Sequence, residues 1–292
     1  MTEPAPAKIN LLLAITGRRE DGYHELVSLV APLVSGDRLS ADAADKGRIS
    51  LECDDPAMPV DAGNLVIKAA EAFRQATGWA EGVRFHLSKA VPVGAGLGGG
   101  SSDAAAALRL LNARLPVPLP RPKLAAIAAS VGSDCPLFLE DGPVVMRGRG
   151  ERIEALASSA RARLSGRRLV LFKPGFAVST AWAYRRLAEL GAYEPAAEAE
   201  RRLSAWLADG TAAAERLLFN NLELPVFAKF PALPLVLGRL RERFGLEPRM
   251  SGSGSACFAF LPPAGGPSPG EIEAVVKEAW GAGAWFRESA LR

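Results

Sequence analysis

The chain has 292 residues, a formal net charge of +3 and a hydrophobic fraction of 49%. This composition is typical of a globular protein with room for two modest domains, and it lacks the basic excess that points to nucleic acid. The three cysteines lie far apart and only two histidines are present, which argues against a structural zinc site and a disulfide framework. Because a disulfide framework is not expected, we predict a protein of the reducing cytoplasm. No apolar run reaches the length of a membrane span, and we expect no membrane or nucleic-acid partners.

Apolar periodicity predicts helices and strands that alternate irregularly, which favours an α+β fold over a helical bundle. The predicted strands cover residues 7–15, 26–34, 48–53, 83–87, 144–147, 168–172 and 257–261. The predicted helices cover residues 65–76, 103–114, 123–131, 180–190, 201–207, 230–244 and 271–280. Asn64 is the expected N-cap of the first helix. The polar segment 157–168 has no clear period, so we place there a boundary between domains of residues 1–157 and 158–292.

The segment PVGAGLGGGSSD at residues 92–103 is the most informative part of the chain, with five glycines in seven positions. Ser101, Ser102 and Asp103 follow these glycines, and such residues commonly cap helices. An alanine run comes next and favours a helix. The segment therefore predicts a loop that ends on a helix N-terminus, where unpaired N–H groups and the helix dipole bind phosphate. A flexible turn before a helix is the plain alternative.

Two better-known phosphate loops do not fit this segment. Gly94, Gly96 and Gly99 match G-x-G-x-x-G, but a dinucleotide fold also requires an acidic residue about twenty positions later. Residues 115–124 hold four prolines and no acidic residue there. A Walker loop requires a lysine directly after the glycines, and none follows.

The glycine segment resembles the phosphate loop of the galactokinase, homoserine kinase, mevalonate kinase and phosphomevalonate kinase superfamily. Further segments narrow this resemblance: AKINL at 7–11, GRREDGYHEL at 17–26, GSDCP at 132–136, NNLE at 220–223 and MSGSGS at 250–255. Together they are similar to the 4-diphosphocytidyl-2-C-methyl-D-erythritol kinase family of the non-mevalonate isoprenoid pathway. The similarity extends from residue 5 to about residue 260.

The resemblance implies a fold and a reaction. The fold would be a two-domain small-molecule kinase fold, with an N-terminal domain that carries the ATP loop, a C-terminal ferredoxin-like domain and an active site in the cleft between them. The reaction would be the ATP-dependent phosphorylation of the 2-hydroxyl of 4-diphosphocytidyl-2-C-methyl-D-erythritol, giving the 2-phosphate and ADP. Mg²⁺ is expected with ATP because it bridges phosphate oxygens. The sequence marks no dedicated protein ligand for Mg²⁺, with Ser102 as a candidate.

The resemblance also implies roles for individual residues. Lys8 and Asp134 match the catalytic pair; Asp134 either removes the proton from the substrate hydroxyl or mainly orients that hydroxyl. The implied ATP-binding residues are Asn64, Lys89, Pro92, Gly94, Gly96, Leu97, Gly98, Gly99, Gly100, Ser101 and Ser102. The implied substrate-binding residues are Asn10, Tyr23, His24, Thr180, Tyr184, Gly252 and Ser253, with Tyr23, His24 and Tyr184 at the cytosine base.

Plain alternatives stand beside some of these roles. Asn64 alternatively acts only as an N-cap, Lys89 as a surface lysine, and Tyr184 as an ordinary packing residue. Ala95 inside the glycine run requires a negative φ, and Asn221 stands where the family commonly has aspartate.

Competing functions also follow from the pattern. A kinase for mevalonate or homoserine shares the superfamily motif, although such substrates carry no base for aromatic side chains to stack on. A nucleotide-binding protein without catalysis is the alternative from another class. The choice between a monomer and a weak homodimer stays open.

Overall fold

The computed structural model describes all 292 residues. They form eleven β-strands, nine α-helices, two short 3₁₀ helices and the loops between them. The strands are β1 Thr2–Arg18, β2 His24–Ala44, β3 Ile49–Cys53, β4 Gly82–Ser88, β5 Val144–Gly148, β6 Arg152–Ala155, β7 Arg168–Lys173, β8 Phe219–Asn220, β9 Arg249–Met250, β10 Cys257–Phe260 and β11 Trp285–Ala290. The helices are α1 Leu65–Thr77, α2 Gly99–Asn112, α3 Arg121–Val131, α4 Ser158–Leu164, α5 Thr180–Glu189, α6 Ala196–Ala208, α7 Glu223–Lys229, α8 Ala232–Phe244 and α9 Pro269–Trp280. The predicted α+β class is confirmed.

A seven-stranded sheet has the order β3-β4-β2-β1-β8, with β5 paired to β2 and β6 paired to β5. Strands β3 and β4 are parallel, whereas β4 and the second half of β2 are antiparallel, from Arg38 opposite Ser88 to Ala44 opposite Gly82. The first half of β2 pairs with β5, from Leu26 opposite Gly148 to Val30 opposite Val144. The long strand β2 therefore serves two different sets of neighbours.

The chain forms two compact units. The first comprises residues 1–7, 35–93 and 98–141. Its core lies between the sheet and helices α1, α2 and α3, and includes the fully buried Phe73, Phe85 and Leu108. The alanines at the start of α2 are themselves buried, and such small side chains allow helices to pack closely.

The second unit comprises residues 8–34, 94–97 and 142–292. It contains a separate four-stranded antiparallel sheet in the order β11-β7-β10-β9. Its core joins the apolar faces of β7 and β10 to those of α5, α7, α8 and α9, with Phe172, Leu237 and Val276 at its centre. Each unit is built from several separate segments of the chain, so the units do not correspond to two consecutive domains. The domain boundary after residue 157 therefore stays a prediction.

Some elements differ from the predictions. Residues 157–168 contain the helix α4, whose buried residues Ala160 and Leu164 lie one turn apart. Two apolar positions in a segment rich in arginine are too few to produce a visible period. The guanidinium of Arg163 lies 3.9 Å from the Trp206 ring and donates to the Trp206 carbonyl, so packing onto α6 stabilises this helix. Strands β6, β8, β9 and β11 and helix α7 are also absent from the predicted elements.

Candidate active site

The glycine loop, residues 92–98, leads directly into α2. Gly94, Gly96 and Gly98 all have positive φ, of 62°, 76° and 71°, while Ala95 meets the predicted requirement for a negative φ. Helix α2 begins at Gly99, and its first helical hydrogen bond runs from Ser102 N to Gly98 O. The amides of the residues before Ser102 therefore precede the helical hydrogen bonds, which is the arrangement that binds phosphate.

The predicted capping role of Ser101, Ser102 and Asp103 is wrong. The N-cap is Gly98, it makes no side-chain cap, and α2 starts four residues before the predicted position. Ser102 and Asp103 are buried inside α2, near its start, and the Ser102 hydroxyl has no hydrogen-bond partner. The Asp103 carboxylate accepts from Lys89 instead of from the helix amides. A side-chain partner distant in sequence therefore overrides the local capping preference.

The serine–glycine loop, residues 251–255, contacts the glycine loop within the second unit. The Ser251 hydroxyl donates to Gly96 O at 3.0 Å, and Ala256 N donates to Ala95 O at 3.1 Å. Asn220 connects this loop to β8, because its amide donates to Met250 O at 2.9 Å and Gly252 O at 2.8 Å. Asn220 was not predicted as a site residue, although it lies in the NNLE segment that carried the resemblance.

Lys8 lies against the same glycine loop. Its backbone N donates to Leu97 O at 2.9 Å, and its ammonium donates to Gly96 O at 2.9 Å and to the Asn10 side-chain oxygen at 2.6 Å. Asn10 in turn donates to the Ser28 hydroxyl at 3.0 Å. Lys8 and Asn10 are both buried. The structure therefore brings the predicted catalytic lysine, a predicted substrate residue and the predicted phosphate loop together.

Asp134 lies half-buried in the turn between α3 and a short 3₁₀ helix, Pro136–Leu139. The neighbouring Cys135 is buried and hydrogen-bonded to the Ser101 side chain, which connects this turn to the first turn of α2. Burial raises the pKa of the Cys135 thiol to about 11, with the Asp134 charge as a further cause. Cys135 is consequently protonated near neutral pH and is no nucleophile.

Aromatic residues form a cluster around His24. The His24 ring centroid lies 5.2 Å from that of Tyr184 and 6.2 Å from that of Tyr193. The His24 Nε2 atom is buried without a hydrogen-bond partner, and burial together with the charge of Arg18 lowers the pKa of His24. The imidazole is therefore neutral at pH 7. Tyr193 was not predicted, since it lies in the segment between two helices where no motif marks it.

Tyr23, which directly precedes His24, and Thr180 both belong to the second unit. Tyr23 is half exposed, and the Arg149 guanidinium lies 5.0 Å from its ring centroid. The hydroxyls of Thr180 and Ser253 are 2.7 Å apart, so the predicted substrate residues of α5 and of the serine–glycine loop are in contact.

Asn64 and Lys89 both have defined structural contacts. The Asn64 side-chain oxygen accepts from Val66 N at 2.9 Å, so Asn64 is the N-cap of α1, as its local context predicts. The alternative view of Lys89 as a surface lysine is wrong, because its ammonium is buried between the carboxylates of Asp37 and Asp103.

Two family models and several curated relatives match this chain. The GHMP kinases N terminal domain matches residues 64–142, and the GHMP kinases C terminal domain matches residues 196–282. A 4-diphosphocytidyl-2-C-methyl-D-erythritol kinase of Methylacidiphilum infernorum is 39% identical, over 88% of this chain and 85% of that protein. The chain belongs to the 4-diphosphocytidyl-2-C-methyl-D-erythritol kinase family. The relative from Salinibacter ruber in the same family is 36% identical over 89% of this chain and 90% of its own length.

Solved structures agree with this family. A crystal structure of 4-(cytidine 5'-diphospho)-2C-methyl-D-erythritol kinase has 38% identity and a TM-score of 0.76, covering 99% of both chains. A mevalonate kinase with 11% identity and a TM-score of 0.72 covers 100% of this chain and 99% of its own, and shows the shared fold alone. The predicted family, fold class and kinase activity with ATP as phosphate donor are therefore confirmed. None of the helices combines the length and the apolar character that a membrane span requires.

Proposed function

We propose that this enzyme transfers the γ-phosphoryl group of ATP to the 2-hydroxyl of 4-diphosphocytidyl-2-C-methyl-D-erythritol. The observation that carries the proposal is the position of Lys8. Its buried ammonium contacts both Gly96 of the glycine loop and Asn10 of the substrate side. A cation at this point would stabilise the charge on the phosphoryl group during transfer, and such electrostatic stabilisation dominates phosphoryl-transfer catalysis.

The glycine loop and α2 would bind the triphosphate. The amides that precede the first helical hydrogen bond of α2 supply donors for phosphate oxygens, and the helix dipole adds a positive potential there. Ser101 adds a hydroxyl in the same turn. The remaining predicted ATP-binding residues border this loop or, like Asn64 and Lys89, support the elements beside it.

Mg²⁺ would enter with ATP. No group of three or more His, Cys, Asp or Glu side chains is arranged to hold a metal ion. The side chains therefore do not form a metal cage, and phosphate oxygens would be the main ligands of Mg²⁺ in the nucleotide complex.

The aromatic cluster would bind the cytosine base. A base requires an aromatic face for stacking and polar partners for its edge. Tyr184 and Tyr193 provide aromatic surface beside His24, whose buried and unpartnered Nε2 is available for a hydrogen bond with the base. Tyr23 would stack on the base, and Thr180, Ser253 and Gly252 would contact the polar remainder of the substrate.

Asp134 would act on the substrate hydroxyl. A carboxylate within hydrogen-bond distance of an alcohol accepts its proton, or orients its lone pair, as the oxygen attacks phosphorus. Proton acceptance and orientation of the hydroxyl can be distinguished by replacing the carboxylate with an amide. An asparagine at this position retains much of the orienting hydrogen bond but accepts no proton.

The deciding experiment measures ADP release with Mg-ATP and each of three acceptors: 4-diphosphocytidyl-2-C-methyl-D-erythritol, mevalonate and homoserine. We expect turnover on the cytidylyl substrate alone. Asp134→Asn should lower kcat by about 10²–10⁴-fold if proton transfer is its role, while the exposed Asp45→Asn serves as a charge-matched control. Turnover on mevalonate or homoserine alone would contradict the cytosine site. ATP binding without any turnover would favour a nucleotide-binding protein.

Localisation and domain division are parts of the same proposal. Cys53, Cys135 and Cys257 are all free thiols, which supports a reducing cytoplasmic compartment. A boundary near residue 157 would separate an ATP-binding domain from a C-terminal domain of the ferredoxin-like type.

A further inference from the structure

Three charged side chains are buried together in the first unit: Lys89, Asp37 and Asp103. Their side chains are 6%, 0% and 2% exposed. The Lys89 ammonium donates to Asp37 Oδ2 and, at 3.0 Å, to Asp103 Oδ2. We call these three residues the buried triad. Asp37 comes from β2, Lys89 from the segment after β4, and Asp103 from α2, just beyond its first turn.

The buried triad connects both ends of the glycine loop. Before the loop, Asp37 Oδ1 accepts from Ala90 N at 2.6 Å and Val91 N at 2.8 Å. After the loop, Asp103 holds α2 through Lys89. The triad also lies directly against the start of α2, because a methyl group on Gly99 would be 3.3 Å from Asp37 Oδ2 and 3.4 Å from Lys89 Nζ.

The charges of the buried triad do not balance when both carboxylates are ionised. One ammonium then faces two carboxylates, and the second oxygen of Asp103 is buried without a hydrogen-bond partner. A buried anionic oxygen without a partner is unfavourable, and a proton removes that charge. Burial, followed by the effect of Asp37, raises the pKa of Asp103 to about 7, although Lys89 opposes the shift. Lys89 and Asp37 are the ionisable groups that act on it.

We propose that the buried triad positions the glycine loop for phosphate, and that nucleotide binding is coupled to uptake of one solvent proton by its two carboxylates. This inference rests on the proposed function in one respect, the binding of nucleotide phosphates at the start of α2. Phosphates at that helix end bring negative charge close to the triad. The protonated, neutral triad is then favoured over the triad with a net negative charge. Asp37 and Asp103 are therefore positioning residues, which act through Lys89 and the loop backbone.

The test compares Mg-ADP dissociation constants of the parent protein, Asp103→Asn and Asp54→Asn between about pH 6 and about pH 8.5. Asp103→Asn has the size and neutrality of the protonated carboxyl. Asp54 is the matched control: it is exposed, it accepts from Lys89 N at 2.9 Å, and the hydrogen bond from Ser88 lowers its pKa, so it stays ionised throughout this range. The titration of ADP itself is common to all three proteins and cancels in their ratios.

We expect the ratio of the parent dissociation constant to that of Asp103→Asn to rise about fivefold from the acidic to the alkaline end. The ratio for Asp54→Asn should stay flat. KM for ATP should follow the dissociation constant while kcat changes less than about twofold, since the triad does not contact the reacting atoms. A flat ratio for Asp103→Asn would overturn the coupling and leave the triad a purely structural cluster.

A second measurement needs no variant and decides the question if Asp103→Asn does not fold. Calorimetry of Mg-ADP binding to the parent protein at about pH 8, in two buffers of different ionisation enthalpy, counts the protons taken up. A measurable proton uptake supports the coupling. Zero uptake with normal binding overturns the coupling but leaves the proposed function intact. Failure to bind any nucleotide would overturn the coupling together with the proposed function.

Discussion

Replacement of Gly96 by alanine tests the packing of the glycine loop. Gly96 has φ of +76°, a conformation that alanine adopts only at a cost of about 1–2 kcal/mol. Its new methyl group would also overlap the Ser251 carbonyl oxygen and lie 3.0 Å from Gly254 N. The neighbours are backbone atoms, so they cannot swing away as a flexible side chain would. Relieving such overlap costs a further ~1–3 kcal/mol of folding free energy.

Gly94→Ala is the matched control for this variant. Gly94 also has positive φ, but its methyl group would meet only the Ala177 side chain, at 3.3 Å. Both variants carry the conformational cost, so the difference between them isolates the contact with the serine–glycine loop. We expect Gly96→Ala to lower the free energy of unfolding by about 2–5 kcal/mol and Gly94→Ala by about 1–2 kcal/mol.

Thermal unfolding and ATP kinetics measure the two consequences. At about 2–4 °C per kcal/mol, Gly96→Ala should melt well below Gly94→Ala. It should also raise KM for ATP more, because Gly96 O accepts hydrogen bonds from both Lys8 and Ser251. Equal melting temperatures for the two variants would refute the reasoning, since the overlap with residue 251 would then have no energetic effect.

Three further predictions concern other parts of the molecule. The pKa of Asp103 is raised from 3.8 to about 7 in the folded state, so the free energy of unfolding should fall as pH rises between these two values. The loss should reach at most about 4 kcal/mol, and it should be absent in Asp103→Asn, which has no carboxyl to titrate. Urea unfolding at several pH values measures it. Asn221→Asp should destabilise by about 1–3 kcal/mol in the same assay, because the amide donates to Ile15 O and Ala192 O and a carboxylate cannot; unchanged stability would contradict this. Tyr193→Ala should raise KM for the cytidylyl substrate by about tenfold through loss of aromatic packing at His24, with KM for ATP unchanged as the internal control.

Much of the fold was predictable where the signal is local. The N-cap of α1 was found because an asparagine directly before an apolar helical pattern is a nearest-neighbour signal. The strands around residues 48–53, 144–147 and 168–172 are predicted within a residue or two because each is a short segment rich in apolar and branched side chains, a signal that the segment itself carries. Strand β11 was missed because Trp285–Ala290 becomes a strand only by pairing with β7, more than a hundred residues earlier.

The start of α2 shows where local reasoning ends. Serine and aspartate are good capping residues, yet Asp103 lies inside α2, beyond its first turn, where Lys89 offers a buried charge partner. The third residue of the buried triad, Asp37, is 52 residues from Lys89 and belongs to no motif. A buried ion pair is decided by which strands and helices meet, and capping preferences of about 1 kcal/mol do not override it.

The amino-acid sequence by itself determined the family, and it predicted the phosphate-binding loop and the roles of Lys8, Asp134 and the cytosine-site residues, because these predictions depend on residue types at short, fixed spacings. Only the tertiary structure decided that Lys8 contacts Gly96, that Tyr193 lies beside His24, and that two buried carboxylates hold Lys89 beneath the start of α2. Those contacts join residues distant in the chain, and their energies depend on burial, which exists only once the sheet and helices have packed.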